Sequence, residues 1–407
     1  MTATASSRIY RNVFRSVKNG AVAVAVIGLA LAASFPTMAA AADNPSPPQQ
    51  TLDEYASKLA AYEQARAQYA ADSKAYWDLI ASQRSARNKK RQNKQPILLS
   101  DYVLTQPPVY TGPEEPVNPV GPSVVPVRPT PAHIPVVADF LRDASDKFNF
   151  VPQQPVTEDD FRTAYAKIAS AAGLSADQAV RIYSFEAGGN GTYQVQAGLE
   201  YNVPGAHAIS TALGYNQLLS TNSVELLAEE GSQFVKQLQA KATKLNGPAR
   251  DSLNAKIQIL QKMIAFANSV PDEWDDHVRL GATPEGLGIH AANLDVDIGP
   301  LLQAQKLVNS VHFAKAKGYA TPLTAAQLEM MNLMGDGSGF DMVTVPLDWA
   351  PQIPTSNFFD VGGYDDNTVV RKNDVVSTLL RATNAKMDSE STLPGAQALA
   401  KAFRSLR

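Results

Sequence analysis

The chain has 407 residues, of which 27 are proline and none is cysteine, and its formal net charge is −3. Without cysteine there can be no disulfide framework, no thiolate metal site and no cysteine nucleophile, so stability has to come from burial. The length would serve two or three globular domains, but the prolines are bunched and mark part of the chain as linker, which leaves one main core.

Residues 1–42 read as a secretory signal peptide. Arg8, Arg11, Arg15 and Lys18 give a positive start, AVAVAVIGLALAA an apolar run, and MAAAA before Asp43 a small-residue cleavage stretch. The apolar run is shorter than the about 20 residues a membrane helix needs, so no stable membrane span is expected after signal removal. Loss of those four cations, from a segment without acids, takes the formal charge from −3 to −7. That balance argues against non-specific nucleic-acid binding, and a periplasmic or secreted protein is expected.

Residues 43–94 predict one amphipathic helix. Tyr55, Tyr62, Tyr69 and Tyr76 recur every seven residues, with Leu59 and Ile80 at the four-residue offset, so the rings share one stripe. Arg66 and Ser73 interrupt that offset. The stripe reads as a face packing on its own protein, or as a docking helix for an envelope protein. The run RNKKR, Arg87 to Arg91, reads as a solvated helix end, with an anionic polymer or lipid surface as the sharper use.

Residues 95–133 are rich in Pro and Val and lack periodicity, which predicts an extended Pro-rich linker. Residues 134–388 predict a helical domain, followed by a helical tail at 389–407. VVADFLRDASDKF and TEDDFRTAYAKIASAAG carry apolar residues at three and four spacing, the second capped by Thr157. LSADQAVRIYSFEAGG follows, capped by Ser175 and stopped by Gly188 and Gly189. Two long helices joined at Asn246-Gly247-Pro248 predict an αα-hairpin, and GPLLQAQKLVNSVHFAKAKG and TAAQLEMMNLMG add two more. TYQVQAGLEY, 192–201, alternates enough for a short strand or an extended loop. The class is mainly α.

Metal and phosphate signatures are missing. DEWDDH, His290, Asp295 and Asp297 fit no ligand spacing and read as solvated loop residues; MGDGSGFDMV lacks the alternating acids of a calcium loop and reads as a turn. No metal and no cofactor is expected.

Glu186 stands out, an acid in the last turn of its predicted helix with four glycines close behind. A carboxylate there faces the negative end of the helix dipole, which raises its pKa. Phe185, Tyr183 and Tyr193 are the expected apolar setting. A second stretch, AISTALGYNQLLSTN from Ala208, opens another helix.

Together these stretches resemble the lytic transglycosylase and goose-type lysozyme branch of the lysozyme-like superfamily. Its pattern is a Glu-Ser helix end followed by about S-x-x-G-A-x-G-L-M-Q-L-M-P-x-T. Glu186 falls on the acid, Ala212 on the alanine, Gly214 on the glycine, Gln217 on the glutamine, and Leu218 and Leu219 on the apolar pair. Ala187 and Ala208 replace the two serines, Thr211 a glycine, Tyr215-Asn216 the Leu-Met, and Asn222 the final Thr.

The resemblance implies a lysozyme-like helical domain with a short extended or β section and an exported peptidoglycan-cleaving enzyme. Glu186 would be its single general acid and then base on the β-1,4 aminosugar link, giving a 1,6-anhydro product. Glu200, the nearest acid in sequence, leaves hydrolysis open. Gly214, Tyr215, Gln217 and Asn222 would contact peptidoglycan glycan strands, joined by a late tyrosine, Tyr364 or Tyr319, where the family has a Tyr-Asn-x-Gly segment. The drifted positions leave a second expectation, a non-catalytic envelope module that binds glycan or protein on the same scaffold.

Overall fold

The computed structural model describes residues 47–120, 133–199 and 205–406; the signal segment and Glu200 lie outside them. Fifteen α-helices account for most of this: α1 (Gln49–Gln92), α2 (Val137–Phe148), α3 (Glu158–Ala171), α4 (Ala176–Glu186), α5 (Ser220–Ala242), α6 (Gly247–Ala267), α7 (Trp274–Gly281) and α8 (Pro284–His290). Then follow α9 (Gly299–Ala316), α10 (Ala325–Met334), α11 (Asp336–Val343), α12 (Val361–Asp366), α13 (Thr368–Lys372), α14 (Val376–Glu390) and α15 (Pro394–Arg404). Among the described residues β structure is confined to isolated bridges, Gln196 with Leu213, Leu213 with Leu218 and Pro354 with Val375. The mainly α class holds, and the alternating segment after Thr192 is a loop with one bridge.

The chain divides into two compact units, one of residues up to 79 with 107–130 and one of 80–106 with 131–407. In the first, the Pro-rich segment lies on the tyrosine stripe of α1. Tyr110 meets Tyr62 and Tyr69 edge-on at 6.3 and 5.7 Å. Arg66 sits 5.0 Å over the Tyr110 ring, so the residue that interrupts the apolar stripe serves it by a cation–π contact. The Tyr110 hydroxyl donates to the Pro113 carbonyl at 2.6 Å. The linker expected over 95–133 is thus packed chain at Tyr110, and the stripe has a partner inside its own chain.

In the second unit the boundary expected at 134 moves back to Ile80. Arg87 is fully buried. It donates from Nε to Asp341 of α11 at 2.9 Å and to the Asp101 and Asn357 carbonyls. Its guanidinium lies 4.4 Å from the Tyr102 ring. Arg91 also pairs with Asp341, and Lys90 with Asp101. Asn357 closes the seam, accepting from Val103 N at 2.9 Å and donating to Val103 O at 2.8 Å. The run read as a solvated helix end is therefore an anchor, because one buried carboxylate gathers two guanidinium groups from successive turns.

The core of this unit is helical packing, with α5 and α6 forming the expected hairpin and α8 and α9 beside them. Of the acids read as solvated loop residues, Asp272 and Asp275 are exposed as expected, whereas Asp295 has no exposed surface and, with the half-buried Asp297, pairs with Lys256. His290 is also buried, and burial pushes its pKa down to about 4. Its Nε2 faces the Thr211 carbonyl at 2.8 Å, which can only accept, so that nitrogen carries the hydrogen and Nδ1 accepts from Ser223 at 2.8 Å. MGDGSGFDMV is helix α11 rather than a turn.

The tail beyond residue 388 is part of the fold. α15 packs on α3 and α4, and Ala396 N donates to Gly189 O at 2.8 Å. A Cβ on Gly395 would stand 2.6 Å from Gly189 O and 2.7 Å from the Tyr183 hydroxyl, so only glycine permits this approach.

Candidate functional site

α4 forms because Ser175 caps it, accepting from Gln178 N, while Gln178 reaches back to Ser175 N. Its Ala179, Ile182 and Tyr183 go inward. The helix stops after Glu186 as Gly188 and Gly189 turn into left-handed backbone at φ 60° and 65°. The space behind these glycines is occupied by the approach to α15, so it is packing rather than room for a ligand.

Glu186 is half-buried and points to α10 and α14. Asn332 of α10 donates from Nδ2 to its Oε1 at 3.0 Å. Glu329, one turn earlier on α10, brings its carboxyl within hydrogen-bonding reach of the Glu186 carboxyl. Glu329 has no exposed surface, and neither of its carboxyl oxygens receives a well-formed hydrogen bond from an N–H or O–H donor. Lys386 of α14 donates to the Phe185 carbonyl at 2.9 Å and lies 4.3 Å over the Phe185 ring.

Burial is the main reason the Glu186 pKa is raised, opposed by the contacts to Glu329, Lys386 and Asn332. Lys386 on the last carbonyls offsets the negative end of the helix dipole. The expected dipole effect is therefore partly cancelled, and desolvation does the work in its place. Glu329 is pushed up well above the ordinary carboxylate range, by burial and then by Glu186. Two carboxyls this close cannot both ionise cheaply, so they titrate as a pair.

The second stretch folds into a tight hairpin. Leu213 and Leu218 exchange both backbone hydrogen bonds at 3.0 Å, which leaves Gly214 to Gln217 as the turn. Gly214 has φ 81° and a Cβ there would stand 2.6 Å from Gln303 Nε2. Gln217, at φ 45°, donates to the Val195 and Gly214 carbonyls. Asn216 donates to Tyr165 Oη at 3.1 Å and Gln303 O at 2.7 Å. Among the described residues no hydrogen bond joins this turn to Glu186.

The other expected contact residues are also engaged within the fold. The Tyr215 ring is fully buried against Phe161, Tyr165 and Tyr183. Its hydroxyl donates to Glu158 Oε1 at 2.6 Å, and Tyr193 N donates to the same oxygen at 3.0 Å. Burial raises Glu158, and burial with the Glu158 charge raises Tyr215. Asn222 is buried and caps α5, accepting from Leu219 N at 3.1 Å. Tyr364 is buried on α12, and that burial raises its pKa. Tyr215, Asn222 and Tyr364 thus have packing or capping duties, and the polar groups of Gln217 are spent on the hairpin.

The residues that do gather at Glu186 are Glu329, Asn332 and Lys386, none of which the motif pointed to. Two signals were there to find. Glu329 is the one charge in the otherwise uncharged helix AAQLEMMNLM. Asn332, with Gly335 closing that helix, makes an Asn-x-x-Gly ending. Among the described residues no group of His, Asp and Glu is disposed to hold a metal, and no helix is long and apolar enough to cross a membrane. No family model, curated protein or solved structure matches the chain.

Proposed function

We propose that this chain is an exported enzyme that cleaves peptidoglycan glycan strands as a lytic transglycosylase does, on a lysozyme-like helical domain, with Glu186 as acid and then base. The observation that carries the reading is a proton-holding carboxyl at the end of α4, half-exposed and bounded by Asn332 and Glu329. Protonating the leaving oxygen of a β-1,4 link needs a carboxylic acid that keeps its proton towards neutral pH. Burial at Glu186 raises its pKa in that direction. Asn332, three residues before Gly335, stands beside Glu186 in the part the family gives to its late Tyr-Asn-x-Gly segment, in place of Tyr364 or Tyr319.

In such a reaction the Glu186 O–H bond breaks as the leaving sugar's 4-hydroxyl forms and the C1–O4 bond breaks. The sugar's own 6-hydroxyl then closes on C1 and returns its proton to the Glu186 carboxylate. The chemistry calls for no metal and no cofactor. Two-carboxylate hydrolases separate their acids by about 5–5.5 or 6.5–9.5 Å, whereas Glu329 is in direct hydrogen-bonding reach of Glu186. Glu329 is therefore not the nucleophile or the water-activating base of such a pair, which favours transglycosylation over hydrolysis.

A second reading, a non-catalytic module that binds glycan or an envelope protein in the periplasm or outside the cell, is favoured by one observation. The polar side chains of Asn216 and Gln217 are bonded within the chain. Digestion of purified murein sacculi separates the two. Wild type should release anhydro-muropeptides, and Glu186→Gln should reduce release by about 10²–10⁴-fold. Binding of sacculi with no release by the wild type would sink the enzymatic reading and leave the module.

A further inference from the structure

Glu329 has no place in the reaction just described, yet its position is a costly one for an acid. It lies on the face of α10 turned to α4, without exposed surface and without a well-formed donor on either oxygen. An ionised carboxylate there would be a buried charge in no ion pair, with Lys386 acting on it only from a distance. The carboxyl therefore carries its proton, and that O–H needs an acceptor.

One acceptor is in reach, the Glu186 carboxyl, which also receives the Asn332 amide at 3.0 Å. The charged group facing the pair is Lys386 from α14. From α9 and α11, Lys306 acts on Asp336 through its charge, and Asp336 accepts from Ser310 at 2.6 Å. The two glutamates are thus a carboxyl–carboxyl contact with Glu329 inside and Glu186 at the solvent side.

Resting on the proposed enzymatic reading, we infer that Glu329 is a positioning residue for Glu186. Its buried O–H donates to the Glu186 carboxyl, fixes the rotamer of that side chain together with Asn332, and stabilises the carboxylate left when Glu186 gives its proton to the leaving oxygen. The Glu329 proton stays in place through the cycle, so no atom is gained or lost there. Because the donor favours the ionised form of Glu186, its removal makes Glu186 hold its proton to higher pH.

The test uses the full chain with ¹³C-labelled glutamate carboxyls, followed by NMR across pH, with Glu186→Gln to assign the signal. In wild type Glu186 and Glu329 should titrate in two linked steps. Glu329→Met should leave Glu186 with a single step at higher pH than its first wild-type step. Glu329→Gln, which keeps an N–H donor, should give a single step below that of the Met variant. The alkaline limb of muropeptide release should follow, about one pH unit higher in Met than in Gln. A purely structural role would lower release at every pH without moving that limb.

A Glu186 curve identical in wild type and Glu329→Met overturns the inference. If the Met variant fails to fold, wild type against Glu329→Gln makes the same decision, since persistence of two linked steps without the second carboxyl excludes the contact. Undiminished release by Glu186→Gln would instead remove the enzymatic reading, while the NMR titration still decides whether the carboxyls share a proton.

Discussion

Asp341 and Glu329 are both acids with almost no exposed surface, carried on the consecutive helices α11 and α10, and their surroundings are opposite. Asp341 receives Arg87, Arg91 and the Tyr102 hydroxyl. Glu329 faces another acid and an amide, in no ion pair and with Lys386 acting only from a distance. A folded chain compensates a buried carboxylate when its purpose is to hold elements together. An uncompensated one lowers stability and marks a place where protonation has another use.

Substitutions in the two settings should therefore differ in sign. Arg87→Ala removes a buried guanidinium that bonds Asp341 and the Asp101 and Asn357 carbonyls, leaving Asp341 with Arg91, and should destabilise the second unit by about 3–5 kcal/mol, read from urea unfolding. A loss under 1 kcal/mol would mean that residues 80–106 are not anchored as described. Glu329→Met, at the other acid, should stabilise by about 1–3 kcal/mol at alkaline pH.

That gain should shrink on acidification. Glu186 and Glu329 are both raised in the fold, so the native chain binds more protons than the unfolded one in that range. Their stabilising contribution is complete below the ordinary carboxylate values and is lost as pH rises through the folded ones. Unfolding of wild type and Glu329→Met compared at several pH values should therefore converge at low pH. Parallel curves would show that Glu329 is not held protonated.

Tyr102→Phe sharpens the contrast at the small end. Its hydroxyl is 3.4 Å from Asp341, whose charge the arginines already meet, so the loss should be no more than about 0.5–1 kcal/mol. Tyr215→Phe takes away a shorter bond, 2.6 Å to Glu158, and should cost about 0.5–1.5 kcal/mol. A larger loss at Tyr102 than at Tyr215 would mean that the hydroxyl, not the arginines, holds Asp341.

Local chemistry made much of this legible. Thr157 and Ser175 cap their helices as their spacing predicts, the α5–α6 hairpin turns at Asn246, and Glu186 ends its helix where the glycines say. What was not legible depends on distant pairing. A basic run reads as solvated until an acid over 250 positions away, Asp341, is known to face it. Proline-rich chain reads as tether until Tyr110 is set against α1. The motif pointed to Glu186, but its expected companions are not the groups that surround that side chain. The turn's polar groups satisfy Gln303, Tyr165 and Val195, and the groups that reach Glu186 come from a helix with no motif position.

The two acids also share a history in time. Asn332 meets Glu186 across 146 positions and Arg87 meets Asp341 across 254, and loops of such length close slowly. During synthesis α4 and the C-terminal end of α1 must wait, Glu186 without its amide and Arg87 without its anion, until the single segment α10–α11 emerges. Both ends of the folded unit are then closed by the same stretch of chain, so slow docking of that segment would appear as one kinetic phase seen at both sites.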